Sequence, residues 1–222
     1  MTDAPNCHFE YARLGTRSQS SFRYNTMSVC LAPAPPIWMR LFIGVALPTE
    51  VSARISAFSS TLPPLPAALR WTSPAQWHIT LQFLGSAGEA QYASVTQRLA
   101  QIASPPVPVS IEGAGFFNRA GIFYLAVVVS PELLALHNQI AAAMRECGFP
   151  PEDRPYSPHI TLARGRNRPS PAAFTPLQAT LRNTPAPSFG GFTASEFLLY
   201  ESFTDPAGSR YEVRARFPLG AS

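Results

Sequence analysis

The sequence predicts an α+β fold in which one structural unit occurs twice. The tetrapeptide His78-Ile79-Thr80-Leu81 recurs unchanged as His159-Ile160-Thr161-Leu162, 81 residues further along the chain. Each copy is preceded by an apolar strand-like run and a stretch with helical patterning. Self-similarity of this kind indicates duplicated architecture. Because the period is long and occurs only twice, it favours two related lobes over a solenoid.

Eight segments have the short apolar runs or the alternating pattern that is typical of β-strands. We expect strands at 40–47, 68–72, 77–84, 107–117, 122–129, 157–164, 193–201 and 209–217. The last two flank Asp205-Pro206-Ala207-Gly208, which is a turn sequence. These two segments therefore predict a hairpin that closes the fold.

Four segments between the strands have helical patterning. We expect helices at 49–62, 88–103, 131–147 and, over a shorter stretch, 171–182. Ser104-Pro105-Pro106 ends the second of these helices, because proline cannot continue a helix. Gly148 ends the third at the position where glycine commonly follows a helix. Strands and helices are thus interspersed, as in an α+β protein.

The repeated tetrapeptide predicts a paired acid/base site. Alternation along a strand places His and Thr of each copy on one face and Ile and Leu on the other. One copy alone is ordinary strand sequence, but two copies in matching contexts favour a function. Phe42 precedes His78 by 36 residues, and Phe123 precedes His159 by 36 residues. We therefore expect the same strand-to-motif spacing in both halves.

The chain resembles the 2H phosphoesterase superfamily, whose members carry paired His-x-Thr motifs. The matching stretches are 39–45, 70–71, 77–85 and 156–164. More narrowly, residues 39–219 resemble the bacterial and archaeal RNA 2′,3′-cyclic phosphodiesterases, also described as 2′-5′ RNA ligases. The resemblance implies two pseudo-symmetric lobes of antiparallel sheet with outer helices. It also implies a central cleft that carries the two His-x-Thr strands.

Two histidines facing a cleft suit the opening of a cyclic phosphate. Imidazole titrates near neutral pH, so a neutral ring can deprotonate water while a charged ring protonates the leaving oxygen. The hydroxyls of Thr80 and Thr161 can donate to the phosphate oxygens. By the family's pattern His78 is the proton donor and His159 the acceptor. The pseudo-symmetry leaves that assignment open at the level of the residues themselves.

Three arginines follow the second motif: Arg164, Arg166 and Arg168. We expect Arg164 and Arg166 to contact the phosphate or the RNA, although a solvated exit loop is an equal alternative. Uninterrupted alternation would place them on the face opposite His159. They reach the site only if the chain turns there, and Gly165 allows such a turn.

Phe42, Trp71 and Tyr156 lie near the motifs and are candidates for stacking on a base, as in proteins that bind single-stranded RNA. Tyr156 is the best of them, whereas Phe42 is expected to pack in the core. Two further histidines are not expected to take part. His8 lies in an irregular leader, and His137 is expected at the surface or boundary of a helix.

Composition is that of one globular domain with a mild positive charge. The chain has 222 residues, 46% of them hydrophobic and 14% charged, with a net charge of +4. A nonspecific binder of nucleic-acid duplexes usually has a dense run of basic residues, and this sequence has none. Its three cysteines have no metal-ligand or disulfide spacing, so we expect no metal, no cofactor and a reducing cytoplasm. No apolar run has the length of a membrane span, and we expect a monomer.

Residues 1–38 are expected to be a disordered N-terminal extension, because they are rich in Ser, Pro and Arg without a sustained period. Met39 directly precedes the first family-like strand, as it would if the start codon had been assigned too far upstream. Residues 39–219 are expected to form a single bilobal domain.

The resemblance implies hydrolysis of 2′,3′-cyclic phosphate ends of RNA to a 2′-phosphomonoester, without a metal. Ends of tRNA fragments are among the candidate substrates. A 2′-5′ RNA ligase or a phosphodiesterase for small cyclic nucleotides would use the same residues, so both stay open. A nonenzymatic RNA-end binder is a further alternative, against which the intact pairs of His and Thr count.

Overall fold

The computed structural model of the protein describes residues 38–166, 171–184, 186–205 and 208–220. The strands in these ranges are β1 (Met39–Ala46), β2 (Leu69–Trp71), β3 (His78–Ala87), β4 (Val107–Phe117), β5 (Ile122–Val127), β6 (His159–Gly165), β7 (Ser188–Ala194), β8 (Glu196–Asp205) and β9 (Gly208–Pro218). The helices are α1 (Thr49–Thr61), α2 (Glu89–Leu99), α3 (Pro131–Glu146) and α4 (Thr175–Arg182). Residues 1–37 of the expected extension lie outside the described residues. The same is true of Arg168 and of the predicted turn residues Pro206 and Ala207.

The strands form two antiparallel sheets, which confirms the α+β prediction with two lobes. The first sheet has the order β3-β1-β8-β9, and the second has the order β2-β6-β5-β4-β7. Each lobe is built around one strand pair from one repeat, β1 with β3 and β5 with β6. The hairpin of β8 and β9 adds to the first sheet, as β8 pairs with β1. The lobes therefore do not coincide with the two halves of the sequence.

Most of strand β7 was not predicted from the sequence. β7 contains two adjacent glycines and lies in a segment rich in Ser and Pro, which is typical of a loop. It forms because β4 offers it a partner edge, with Val109 opposite Phe192. The single strand expected at 193–201 is in fact the end of β7 and the first part of β8.

The apolar side of each motif faces the core. Ile79, Leu81, Ile160 and Leu162 are all buried in one hydrophobic cluster. The same cluster includes apolar side chains from α1, α2 and α3. As predicted from the alternation, the His and Thr of each motif are half-exposed on the opposite face.

Both motif strands contain a β-bulge at the same position. In β3, Thr80 lies opposite Gly44 and Gln82 lies opposite Ile43, so Leu81 has no partner on β1. In β6, Leu162 likewise has no partner on β5, because Thr161 pairs with Tyr124 and Ala163 with Phe123. A bulge of this kind changes the face to which the following side chains point.

The carbonyl group of each bulge residue accepts hydrogen bonds from outside its ladder. Nδ1 of His137, on α3, lies 2.9 Å from the Leu81 oxygen. The Leu162 oxygen accepts from the backbone N–H of Thr72 at 2.8 Å and from its hydroxyl at 2.9 Å. These bonds satisfy backbone groups that would otherwise be buried without partners.

Gly44 sets the approach of β1 to the first motif, because a Cβ atom there would lie 2.7 Å from the carbonyl oxygen of Ile79. Gly44→Ala should therefore lower the free energy of unfolding by about 1–3 kcal/mol, as overpacking does. Denaturant unfolding measures this loss. Gly220→Ala is the matched control, since a Cβ there meets nothing within 4 Å. Equal unfolding midpoints for the two variants would contradict the close approach.

Candidate active site

The two motif histidines occupy equivalent places at the start of strands in different lobes. His78 begins β3 and His159 begins β6, and these two strands contact each other across the sheets. A positive charge on the His159 ring would disfavour protonation of His78 and contribute to its lowered pKa. The structure thus brings together the two residues that the repeat singled out.

Each imidazole is held by the same backbone contact. Nδ1 of His78 lies 2.8 Å from the carbonyl oxygen of Gln76, and Nδ1 of His159 lies 2.8 Å from that of Ser157. Because a carbonyl can only accept, both Nδ1 atoms carry the hydrogen. The neutral ring therefore has a free lone pair at Nε2, and the charged ring has a proton there. Nε2 of each ring is the atom left for proton transfer.

Aromatic rings surround both histidines. The ring of His78 lies 4.7 Å from that of Phe42 and 5.0 Å from that of Tyr211. The ring of His159 lies 4.9 Å from that of Phe117 and 5.3 Å from that of Tyr124. These neighbours hold the rings in place and remove water from them.

Burial has a direct electrostatic consequence for both rings. Loss of solvation lowers the pKa of His78 to about 4, and the nearby positive charge of Arg164 contributes to the decrease. Burial and Arg164 lower the pKa of His159 as well. Both rings are therefore neutral at neutral pH in the free protein. An anion beside them would favour the charged form.

Arg164 reaches the site by a different route from the one predicted. The predicted route needs a turn at Gly165, but the bulge at Leu162 already moves Arg164 to the face of Thr161. Its Nη2 atom lies 3.5 Å from the Thr161 hydroxyl oxygen. Alternation alone could not show this, since a bulge inserts one residue without a clear mark in the sequence.

Phe83 is the counterpart of Arg164 in the first motif, and it is not among the site residues predicted from the sequence. Each residue stands five positions after its histidine and follows its bulge. The Phe83 side chain is 58% exposed, which is unusual for so large an apolar group. The signal that could have found it is the equal offset in the two motifs.

The equal spacing of Phe42 and Phe123 proves misleading. In strand register His78 lies opposite Ala46, whereas His159 lies opposite Ala126, so the two halves differ by one residue. Phe42 accordingly packs on His78, while Phe123 is fully buried in the main core. Phe42 is buried as expected, but in a small separate cluster beside the site.

A cavity of about 350 Å³ opens beside His78. Its lining comes from the first sheet, except for Arg164 on β6, and the larger side chains in it are Arg40, Phe42, His78, Phe83, Arg164 and Tyr211. Among the described residues that line it there is no acidic side chain. The cavity therefore suits an anionic group with an attached apolar or aromatic part.

Tyr156 and Arg166 lie outside the lining of this cavity. The ring of Tyr156 stacks on that of His137 at 3.9 Å, and its hydroxyl lies 3.5 Å from the Thr80 carbonyl oxygen. Arg166 is exposed just beyond β6. The contact of either residue with a substrate stays a prediction.

His137 is half-buried at the boundary of α3, as expected. It also lies within hydrogen-bond distance of the backbone of the first motif, a contact that the sequence does not predict. The buried neighbours Leu133, Leu136 and Ile140 define the inner face of the helix, and His137 lies next to it. This helix contacts β3, a tertiary pairing that the sequence pattern does not reveal.

Across the described part of the chain, no group of three or more His, Cys, Asp or Glu side chains is arranged to hold a metal ion. Within the same residues, no helix has the length and apolar character needed to cross a membrane.

Comparison with known proteins gives consistent matches. A family model described as the 2′-5′ RNA ligase superfamily matches residues 47–202. An Archaeoglobus fulgidus protein named RNA 2′,3′-cyclic phosphodiesterase is 27% identical, covering 78% of this chain and 97% of its own length. A Thermus thermophilus protein of the same name is 31% identical, covering 82% of this chain and 90% of its own length. The structure of Escherichia coli LigT complexed with 3′-AMP matches with a TM-score of 0.68 and 26% identity, covering 83% of this chain and 99% of that one.

Replacing Arg164 with glutamine should raise the pKa values of both motif histidines. Burial, the main cause of the low pKa values, stays, but the positive charge that disfavours the protonated rings is lost. NMR titration of the imidazole nitrogens measures the shift. Arg182→Gln, at an exposed arginine of α4, is the control and should leave both pKa values unchanged. Identical titrations of the two variants would contradict the electrostatic contact.

Proposed function

The chain belongs to the 2′-5′ RNA ligase superfamily, and we propose that it is a hydrolase that opens the 2′,3′-cyclic phosphate at the end of an RNA. The observation that carries this proposal is the pair of His-x-Thr strands, each with an imidazole anchored through Nδ1 to a backbone carbonyl. The name of its relatives, RNA 2′,3′-cyclic phosphodiesterase, supports the same activity.

The geometry suits an in-line displacement at phosphorus. His159 takes a proton from water through Nε2 as the water oxygen bonds to phosphorus. The bond from phosphorus to O3′ breaks, and His78 gives its Nε2 proton to that oxygen. The product is a 2′-phosphomonoester with a free 3′-hydroxyl. The two rings then exchange protons with solvent before the next turnover.

Charge that develops on the phosphate oxygens needs donors on the same face as the histidines. Thr80 and Thr161 present hydroxyl groups there, two residues after each histidine. Arg164 adds a positive charge beside Thr161. Such preorganised donors stabilise a transition state without a metal ion.

The low pKa of His78 conflicts at first sight with its role as proton donor. Burial keeps this ring neutral in the free protein, with a pKa of about 4. A bound phosphate brings a negative charge next to the ring and engages Arg164, and both effects favour the protonated form. The substrate therefore raises the pKa of the acid that acts on it. His159, which must be neutral, is already in the required state.

Ligation of RNA ends would use the same residues, with a ribose hydroxyl in place of water. We propose hydrolysis because the curated relatives carry that name. A role as a nonenzymatic RNA-end binder does not explain why both acid/base pairs are intact. Substrates derived from tRNA, a monomeric state and a cytoplasmic location stay predictions.

His78→Ala and His159→Ala should each lower turnover at least about a hundredfold, the low end for loss of a general acid or base. Thr80→Val and Thr161→Val should have smaller effects, since each removes one hydrogen-bond donor. The assay follows ring opening of an RNA oligonucleotide with a 2′,3′-cyclic phosphate end, with product identity from ³¹P NMR.

His8→Ala serves as the control for both histidine variants, because the proposed chemistry does not use that residue. Its turnover should equal that of the unmodified protein. Near-normal turnover in either motif variant would rule out the two-histidine reaction. Loss of activity on chelation, restored by added metal, would rule out the metal-free reaction.

The pH dependence should differ between the free and the bound enzyme. Activity is lost as pH rises through the pKa of the acid, which is low in the free protein and raised by bound phosphate. The alkaline limb of kcat/KM should therefore lie at lower pH than that of kcat. The acid and alkaline limbs of each profile give pKa values that belong to the coupled pair of histidines and not to one ring alone. Coincident alkaline limbs would contradict assistance by the substrate.

A further inference from the structure

The cavity at the site is asymmetric although the catalytic residues are paired. His78 lines it and His159 does not. Its remaining walls come mainly from the first sheet, with Ser202 and Thr204 on β8 and Ser209 on β9. The molecule thus has a built recess on the side of one histidine.

The direction of the proposed reaction decides what occupies that side. In an in-line displacement the water and the leaving oxygen lie on opposite sides of phosphorus. Water lies toward His159, so O3′ lies toward His78. O3′ is part of the ribose, and the nucleoside must therefore extend from phosphorus into the recess beside His78.

Side chains along β1 continue the recess away from the reacting phosphate. The His78 ring lies over Gly44, with Cδ2 at 3.7 Å from the position of a Cβ there, and it contacts the ring of Phe42. Arg40 precedes Phe42 by two residues on β1, so it lies on the same face, about 6–7 Å from Phe42 on the side away from His78 by strand geometry. Arg40 is exposed and lines the cavity.

Phe83, which lies opposite Phe42 on the neighbouring strand β3, supplies an aromatic surface in the same recess. Its ring lies 6.1 Å from that of Phe42, and its side chain is largely exposed to solvent. Phe42 itself is buried and cannot stack on a ligand. Exposed aromatic rings of this kind bind nucleobases by stacking, with little dependence on sequence.

We propose that the recess is a binding subsite for the last two nucleotides of a single-stranded RNA. Phe83 stacks on the base of the terminal nucleotide, and Arg40 binds the phosphate that joins it to the preceding nucleotide. This inference rests on the proposed function. It makes an oligonucleotide, and not a nucleoside 2′,3′-cyclic monophosphate, the preferred substrate, because the monophosphate has no second phosphate for Arg40.

The test compares two substrates: a dinucleotide with a 2′,3′-cyclic phosphate end and the corresponding nucleoside 2′,3′-cyclic monophosphate. The unmodified protein should have the higher kcat/KM for the dinucleotide. Arg40→Gln should lower that value by about tenfold, the scale of a lost charged contact. It should leave the value for the monophosphate unchanged. The dependence of the dinucleotide value on salt should also weaken.

Arg98→Gln is the matched control. Arg98 is an exposed arginine of α2, paired with Glu146 at 3.0 Å and absent from the cavity lining. This variant should leave both substrates unchanged. Thermal unfolding of both variants checks that neither loses the fold.

Phe83 is tested separately, because the terminal base is common to both substrates. Phe83→Leu should lower kcat/KM for the dinucleotide and the monophosphate alike, and Phe83→Tyr should retain both values. A loss confined to one substrate, or an equal loss in the tyrosine variant, would overturn the stacking role.

The outcomes separate this inference from the proposed function. Hydrolysis of both substrates with equal kcat/KM, unaffected by Arg40→Gln, would overturn the subsite and leave the proposed function standing. An equal loss on both substrates in Arg40→Gln would also overturn it. Hydrolysis of neither substrate would overturn the proposed function and this inference with it.

Discussion

The site depends on one backbone feature, the β-bulge that follows Thr in each motif. Without it, strict alternation would turn the fifth residue after each histidine toward the core. With it, two consecutive side chains are buried, and the next one returns to the cleft. The carbonyls of Leu81 and Leu162 are held by His137 and Thr72. The bulges are thus fixed by hydrogen bonds from neighbouring elements and are part of the fold.

The two lobes use the same backbone for different chemistry. Both motifs place His and Thr identically and anchor the ring through the carbonyl two residues earlier. They differ at the position after the bulge, where one carries Phe83 and the other Arg164. Duplication therefore accounts for the paired histidines to which we assign proton transfer. Divergence at one position gives one lobe an exposed aromatic ring and the other a positive charge beside Thr161.

Sequence patterns predict the elements and the paired residues because both depend on local periodicity. Ile160 and its equivalents are apolar at alternate positions, and this alone places His159 on the open face. Features that depend on contacts between distant segments could not be predicted in this way. The bulge that redirects Arg164, the bond from His137 and the formation of the glycine-rich strand β7 all depend on partners supplied by the tertiary fold.

The arrangement that positions the histidines also opposes their charged state. The rings of Phe42 and Tyr211 exclude water from His78, and the same burial lowers its pKa. A protein that relied on a preformed imidazolium would need a carboxylate beside it, yet the described lining of the cavity has none. The positive charge of Arg164 lowers the pKa of His78 further in the free protein. In the proposed reaction Arg164 binds the phosphate of the substrate, and this anion supplies the negative charge that the described lining of the cavity lacks. In the proposed reaction, proton donation is thereby confined to the complex with a phosphate, which links substrate binding to the protonation state of His78.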